Sequence, residues 1–306
     1  TMAQGTTIEG ANASRWIRLP LVGVTFQTST LAAVVLMSYV ARYLSTIDSS
    51  LVSFKQTLVP LWLPVFLVLG LILPANFSTA AIIFAMVVLL VFIGGYPFKY
   101  LAIILTTGLL LLSLFVLTAK AFPDVFPNRV DTWISRVVSF VDKTDKEADY
   151  QITKAKTAIA SGGITGLGPG KSVQKNFLPQ SSSDFIYAII VEEFGLLGAL
   201  VVMLVYLLLL FRLVVVAHKS SSMFAKLLVI GVGLPVVFQA LVNMAVAVEL
   251  FPVTGQTLPL ISSGGTSIWM TCLALGMVLS VSAKREVEKN QEQAMDNPLD
   301  ILSQTL

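Results

Sequence analysis

A chain of 306 residues that is 56% hydrophobic and only 12% charged is not a soluble globular domain, where about 25% of residues are charged. The composition describes an all-α polytopic membrane protein, since helices satisfy their own backbone polar groups in lipid. A formal net charge of +3 makes no case for nucleic acid, and one cysteine, Cys272, excludes a disulfide framework.

Residues 1–20 read as a polar loop with no basic-then-apolar leader pattern. The chain opens without Met, which suggests a missing upstream segment. Trp16 between Arg15 and Arg18 suits an interfacial anchor; an ordinary juxtamembrane loop is the competing reading. Seven spans are expected at about 21–44, 56–74, 77–94, 100–119, 185–211, 227–250 and 268–283. Pro74 with Asn76 and Ser78 divides the second from the third, and Gly94 to Pro97 ends the third.

Residues 120–183 hold most of the charge. Trp133, Ile134, Val137, Val138 and Val141 recur at helical spacing, which predicts an amphipathic surface helix. A second short helix is expected over 149–160, followed by the glycine-rich SGGITGLGPGKS. The loop 251–267 has a re-entrant look, and the tail 286–306 is polar and expected to be flexible. Residues 1–285 thus form one membrane domain. Arg42, Lys55, Lys99, Arg212, Lys219, Lys226, Lys284 and Arg285 fall on one side, which the positive-inside rule makes cytoplasmic. The loops at 120–184 and 251–267 then face outward.

Asp184 stands where the outer loop enters the fifth span. Two readings are open: a helix cap, or a partly desolvated carboxylate acting as general base. Glu192 and Glu193 lie deeper in the same span, where a structural ion pair competes with a catalytic role. Lys154, Lys156, Lys171 and Lys175 frame the glycine loop. They suit a diphosphate leaving group, or equally a solvated face near anionic lipid. Thr254, Ser262, Ser263, Gly264 and Gly265 offer backbone and hydroxyl groups for a sugar or phosphate, with a plain turn as the alternative. No Cys/His metal spacing, nucleotide loop or Ser/His/Asp arrangement occurs.

The stretches TAIASGGITGLGPGKSVQKNFLPQSSSDFIYAIIVEEFGLLG and FPVTGQTLPLISSGGTS, with GANASRWI and FQTST, resemble the SEDS family, whose members are of FtsW and RodA type. The resemblance covers about residues 10–285, and the wording GPGKSVQKNFLP is nearer the FtsW branch. It implies a glycosyltransferase that polymerises lipid II into glycan strands at the outer face of the bacterial cytoplasmic membrane during cell division. It also implies a class B penicillin-binding protein and other divisome proteins as partners, and undecaprenyl-linked glycan as the growing strand.

By the same resemblance Asp184 is the essential aspartate, and Glu192 and Glu193 with Arg15 are supporting residues. Lys154, Lys156, Ser161, Gly162, Gly163, Lys171 and Gln174 join the 254–265 set in holding substrate. The family's ten or so spans imply three more ahead of the seven. Thr28 and Thr30 replace a proline and a glutamate of the family pattern, Asn76 replaces an acid, and Lys154 a glutamine. No organic cofactor is expected; a divalent cation, Mg or Mn, is a candidate. Alternatives are a lipid II flippase, an elongation-type polymerase and a non-catalytic scaffold for the transpeptidase.

Overall fold

The structure, a computed structural model, describes residues 16–18, 25–47, 53–121, 146–178 and 181–295. Arg15 and the expected amphipathic helix around Trp133 to Val141 lie outside the described residues. Strands β1 (Trp16–Arg18) and β2 (Thr25–Gln27) pair antiparallel, with Trp16 opposite Gln27. This corrects two expectations. Residues 16–18 are not loop, and the first helix does not begin at 21. β-branched Thr25 and aromatic Phe26 favour extended backbone there. Helix α1 (Thr28–Thr46) starts only after Gln27.

The next rod, α2 (Phe54–Ile72), passes through a π turn at Leu58–Trp62, around Pro60, whose nitrogen has no hydrogen to donate. Helix α3 (Phe77–Ile93) follows the expected break. Asn76, the residue standing where the family pattern has an acid, caps it: its side chain accepts the Thr79 N–H at 3.2 Å. Helices α4 (Phe98–Ala121) and α5 (Lys146–Gly162) come next, then α6 (Ile186–Lys219), α7 (Met223–Ala247) and α8 (Gly265–Met295).

Helices α2, α4, α6, α7 and α8 contain stretches long and apolar enough to cross a membrane, and α3 is a shorter apolar helix of 17 residues. The chain is a multi-pass helical membrane protein. The tail was expected to be flexible from 286, yet α8 runs on to Met295. Its polar stretch KREVEKNQEQ is rich in strong helix formers, which extend a helix past the end of its apolar part.

Helix α7 is the axis of the bundle and the most enclosed of the membrane-capable helices, packing against α1, α3, α6 and α8. Small residues let the neighbours close in. A Cβ at Gly231 would stand 2.9 Å from Leu90, and one at Gly233 would stand 2.5 Å from Leu213. Two cores result. One joins Met37, Val40, Trp62, Val87 and Leu227 toward the basic end. The other joins Ala155, Phe185, Ala188, Ala240 and Leu258 beneath the glycine-rich loop.

Candidate active site

Helix α6 is broken at Gly195, whose φ of 68° and ψ of −166° are accessible essentially to glycine alone. In an unbroken helix the Leu196 and Leu197 N–H groups would bond the carbonyls of Glu192 and Glu193. Here those four groups pair with the glycine-rich loop instead. The Leu167 N–H donates to the Glu192 carbonyl and the Gly168 N–H to that of Glu193, each at 2.9 Å. The Leu196 N–H donates to the Gly163 carbonyl at 2.9 Å and the Leu197 N–H to that of Ile164 at 3.2 Å.

The two backbones touch so closely that side chains are excluded. A Cβ at Gly162 would lie 2.0 Å from the Val191 carbonyl oxygen, and one at Gly166 would lie 2.2 Å from that of Glu193. Gly162 and Gly163 are expected from the sequence to hold substrate. Gly162 and Gly166 meet α6 instead, while Gly163 has open space around its Cα.

Glu192 is 1% exposed and clamps the rest of that loop. Its carboxylate accepts the Ser172 hydroxyl, the Val173 N–H at 3.1 Å, the Gln174 N–H at 3.3 Å and the Ser161 hydroxyl at 3.4 Å. Glu193 accepts the Ser172 N–H at 3.4 Å. Among the described residues no Lys or Arg pairs with either acid, so Glu192 acts as a hydrogen-bond receptor and not as half of an ion pair. Ser161 and Gln174 are placed here as parts of the clamp. Glu192→Ala is expected to destabilise the protein by about 3 kcal/mol, since several buried donors lose one acceptor. Glu192→Gln, which keeps one oxygen, should fall between it and wild type in thermal unfolding.

Asp184 is partly buried, in the turn at 181–185 that leads into α6. Phe185 occupies the cap position, and no side chain caps there, so Asp184 is not the helix cap. Three side chains grip the backbone of this turn. Asn243 of α7 donates to the Asp184 carbonyl at 2.7 Å, Ser262 to that of Ser183 at 2.6 Å, and Ser263 to that of Ser182 at 2.9 Å. The carboxyl itself faces the 251–264 segment. Its Oδ2 is 3.4 Å from where a Cβ on Gly255 would stand, and Gly255 has a φ of +65°. Thr254 is its neighbour, Gly264 leads into α8, and Gly265 is the first residue of that helix.

Sequence reading missed Asn243 and Gln239. Asn243 donates a second bond to the Gln256 carbonyl at 2.7 Å, and Gln239 donates to the Thr257 carbonyl at 2.9 Å. Gln256 in turn reaches Thr79 of α3 at 3.0 Å. The available signal was two amides four residues apart in an apolar span, hence on one face. Ser262 and Ser263, expected to bind substrate, are placed as struts under Asp184. Ser262 also accepts the Leu258 N–H at 2.7 Å.

Lys154 lies 5.5 Å from the ring centroids of both Tyr150 and Phe177. Lys156 pairs with Glu249, just beyond the end of α7. Glu249 has a φ of +60°, a conformation that favours glycine, so an acid is held there at a local cost of about 1–2 kcal/mol. Lys171 packs its stem near Gly168, and Lys175 donates to the Gly170 carbonyl at 2.8 Å. Among the described residues no three His, Cys, Asp or Glu side chains converge on a metal position. With fewer than three such groups together, Asp184 would hold an ion only with oxygens supplied by water and a diphosphate.

Residues 2–287 match the family model for FtsW, RodA and SpoVE, described as "Cell cycle protein". The chain is 34% identical over 300 residues to a probable peptidoglycan glycosyltransferase FtsW of Thiomicrospira cyclica, covering 95% of this chain and 74% of the relative. The corresponding protein of Coxiella burnetii is 31% identical over 292 residues, covering 92% and 74%. Among solved structures, a chain of a peptidoglycan synthase complex that coordinates polymerization and crosslinking superposes with a TM-score of 0.69 at 30% identity, covering 92% of this chain and 76% of that one. Thermus thermophilus RodA gives 0.60 at 27% identity, covering 92% and 72%.

Proposed function

The chain belongs to the FtsW, RodA and SpoVE family, and from that premise we propose that it is a division-type peptidoglycan glycosyltransferase using lipid II. The observation that carries the site is Asp184: a partly exposed carboxylate whose backbone is held by Asn243, Ser262 and Ser263, facing an irregular segment at one end of the membrane helices. Irregular backbone at such a place is tolerated where it lines a cavity.

In the proposed reaction the acceptor sugar hydroxyl attacks the anomeric carbon of the donor. The new glycosidic C–O bond forms as the bond to the lipid diphosphate breaks. Asp184 takes the hydroxyl proton and later returns it to solvent. Lys154 and Lys156 supply positive charge toward the departing diphosphate. A divalent cation, Mg or Mn, would be an alternative source of that charge, and Asp184 would be the residue that holds it. The lipid tails lie between helices in the bilayer, and the site faces outward from the bacterial cytoplasmic membrane. A class B penicillin-binding protein and further divisome proteins are the proposed partners; the related synthase complex supports an assembly of this kind.

A flippase would need polar groups continuing through the bundle, whereas the core at the basic end is built from Met37, Val40, Trp62, Val87 and Leu227. Reconstitution with lipid II and the transpeptidase partner separates the readings. A ladder of glycan strands on a gel supports the polymerase; movement of lipid II between leaflets with no polymer would support the flippase.

Lys156→Gln is expected to raise KM for lipid II about tenfold, the scale of one lost charge-assisted contact. An unchanged KM would remove Lys156 from the substrate site.

A further inference from the structure

At the end of the bundle away from Asp184, the turn between α6 and α7 and the polar-going part of α8 line a half-open cavity of about 480 Å³. Its lining is of two kinds. Phe224, Leu228, Met277 and Val281 make an apolar wall. Lys284 and Arg285, with the serine run Ser220 to Ser222, make a polar rim. Ser220 is buried and donates its hydroxyl to the Val216 carbonyl at 2.7 Å. Ser222 accepts the Ala225 N–H at 3.2 Å, which sets the start of α7, and so the positive end of its dipole, at the same rim.

The surroundings are cationic well beyond the lining. Arg42 of α1 stands 5.6 Å over the Phe224 ring. Arg212, Lys219 and Lys226 flank the turn, and no Asp or Glu occurs from residue 194 through 248. Glu286, which follows on α8, is exposed and is not among the described lining residues. Position along the bilayer normal agrees with this. Beyond its break at Gly195, helix α6 runs on to Lys219 for about 36 Å, so its last turns reach past the ~30 Å hydrocarbon layer toward the headgroup region.

An apolar wall under a basic, hydroxyl-bearing rim at headgroup depth fits an amphiphile with a negative head. We propose that this cavity binds an anionic phospholipid. Its phosphodiester lies on Lys284, Arg285 and the serine run, and an acyl chain runs down Leu228, Met277 and Val281. Inorganic phosphate shares the head chemistry but has no use for the apolar wall, and the wall decides for the lipid.

The test is native mass spectrometry of the purified protein loaded with phosphatidylglycerol or with phosphatidylcholine. Wild type should retain one phosphatidylglycerol in preference to phosphatidylcholine. The double variant Lys284→Gln with Arg285→Gln should lose that retention by roughly tenfold or more, given about 1 kcal/mol for each cation near anionic lipid. Met277→Gln should weaken it too, through the acyl wall. Both variants lie away from Asp184 and should polymerise as wild type does, which shows that they fold. Equal retention of the two lipids, retention unchanged in the double variant, or displacement of the lipid by millimolar inorganic phosphate would each overturn the proposal.

Discussion

Gly195→Ala is expected to yield little folded protein, although it adds a single methyl group. The added Cβ would stand 2.3 Å from the Ile164 carbonyl oxygen and 2.5 Å from the Gly166 nitrogen. Both are backbone atoms, so no rotamer change relieves the contact. The φ of 68° and ψ of −166° are themselves closed to alanine. The loop must leave α6, which frees the carbonyls of Glu192 and Glu193 and the N–H groups of Leu196 and Leu197. Together these effects exceed about 4 kcal/mol, the range in which single substitutions unfold a domain. Gly70→Ala is the matched control. Its Cβ meets nothing within 4 Å, and helical alanine is favoured over glycine by about 1 kcal/mol. Expression and thermal unfolding of the two variants in detergent should diverge sharply. Equal yields would mean that the clasp between α6 and the loop does not carry the fold.

The apolar architecture was legible in the sequence because uninterrupted runs of Leu, Val and Ile have no other solution in a bilayer. Boundaries were less legible where extended backbone competes with helix, as at Thr25 to Gln27, and where charged helix formers prolong α8. The site was legible in its titratable residues and illegible in their wiring. Glycines at 162, 163 and 166 announce a close approach, but the pattern does not say to what. The partner is the backbone around Gly195, a glycine inside an apolar helix. Glu192 reads as an acid in lipid in need of a cation. Its actual partners are N–H groups and hydroxyls of the loop at 172–174, which no periodicity reveals. Asn243 and Gln239 passed as incidental polar residues of a span. They anchor the segment that faces Asp184. Glu249 was visible as an acid at the end of the expected span 227–250, but neither its backbone angle nor its pairing with Lys156 could be read from the pattern.

The second large effect is at Asp184. Asparagine has the same shape, and the turn is held through backbone carbonyls by Asn243, Ser262 and Ser263, none of which depends on the carboxylate. Asp184→Asn should therefore unfold at nearly the wild-type temperature. It should also bind lipid II within about threefold of wild type, since the loss falls on the proton acceptor and not on ground-state contacts. What it loses is a place for the proton of the attacking hydroxyl, worth about 100-fold to 10,000-fold in rate. The most direct measurement is the initial rate of glycan-strand formation from lipid II by the reconstituted wild type and Asp184→Asn, with lipid II binding measured on the same preparations. Retained binding with a rate at least about 100-fold lower is the predicted result. Strands made by Asp184→Asn at the wild-type rate would contradict it.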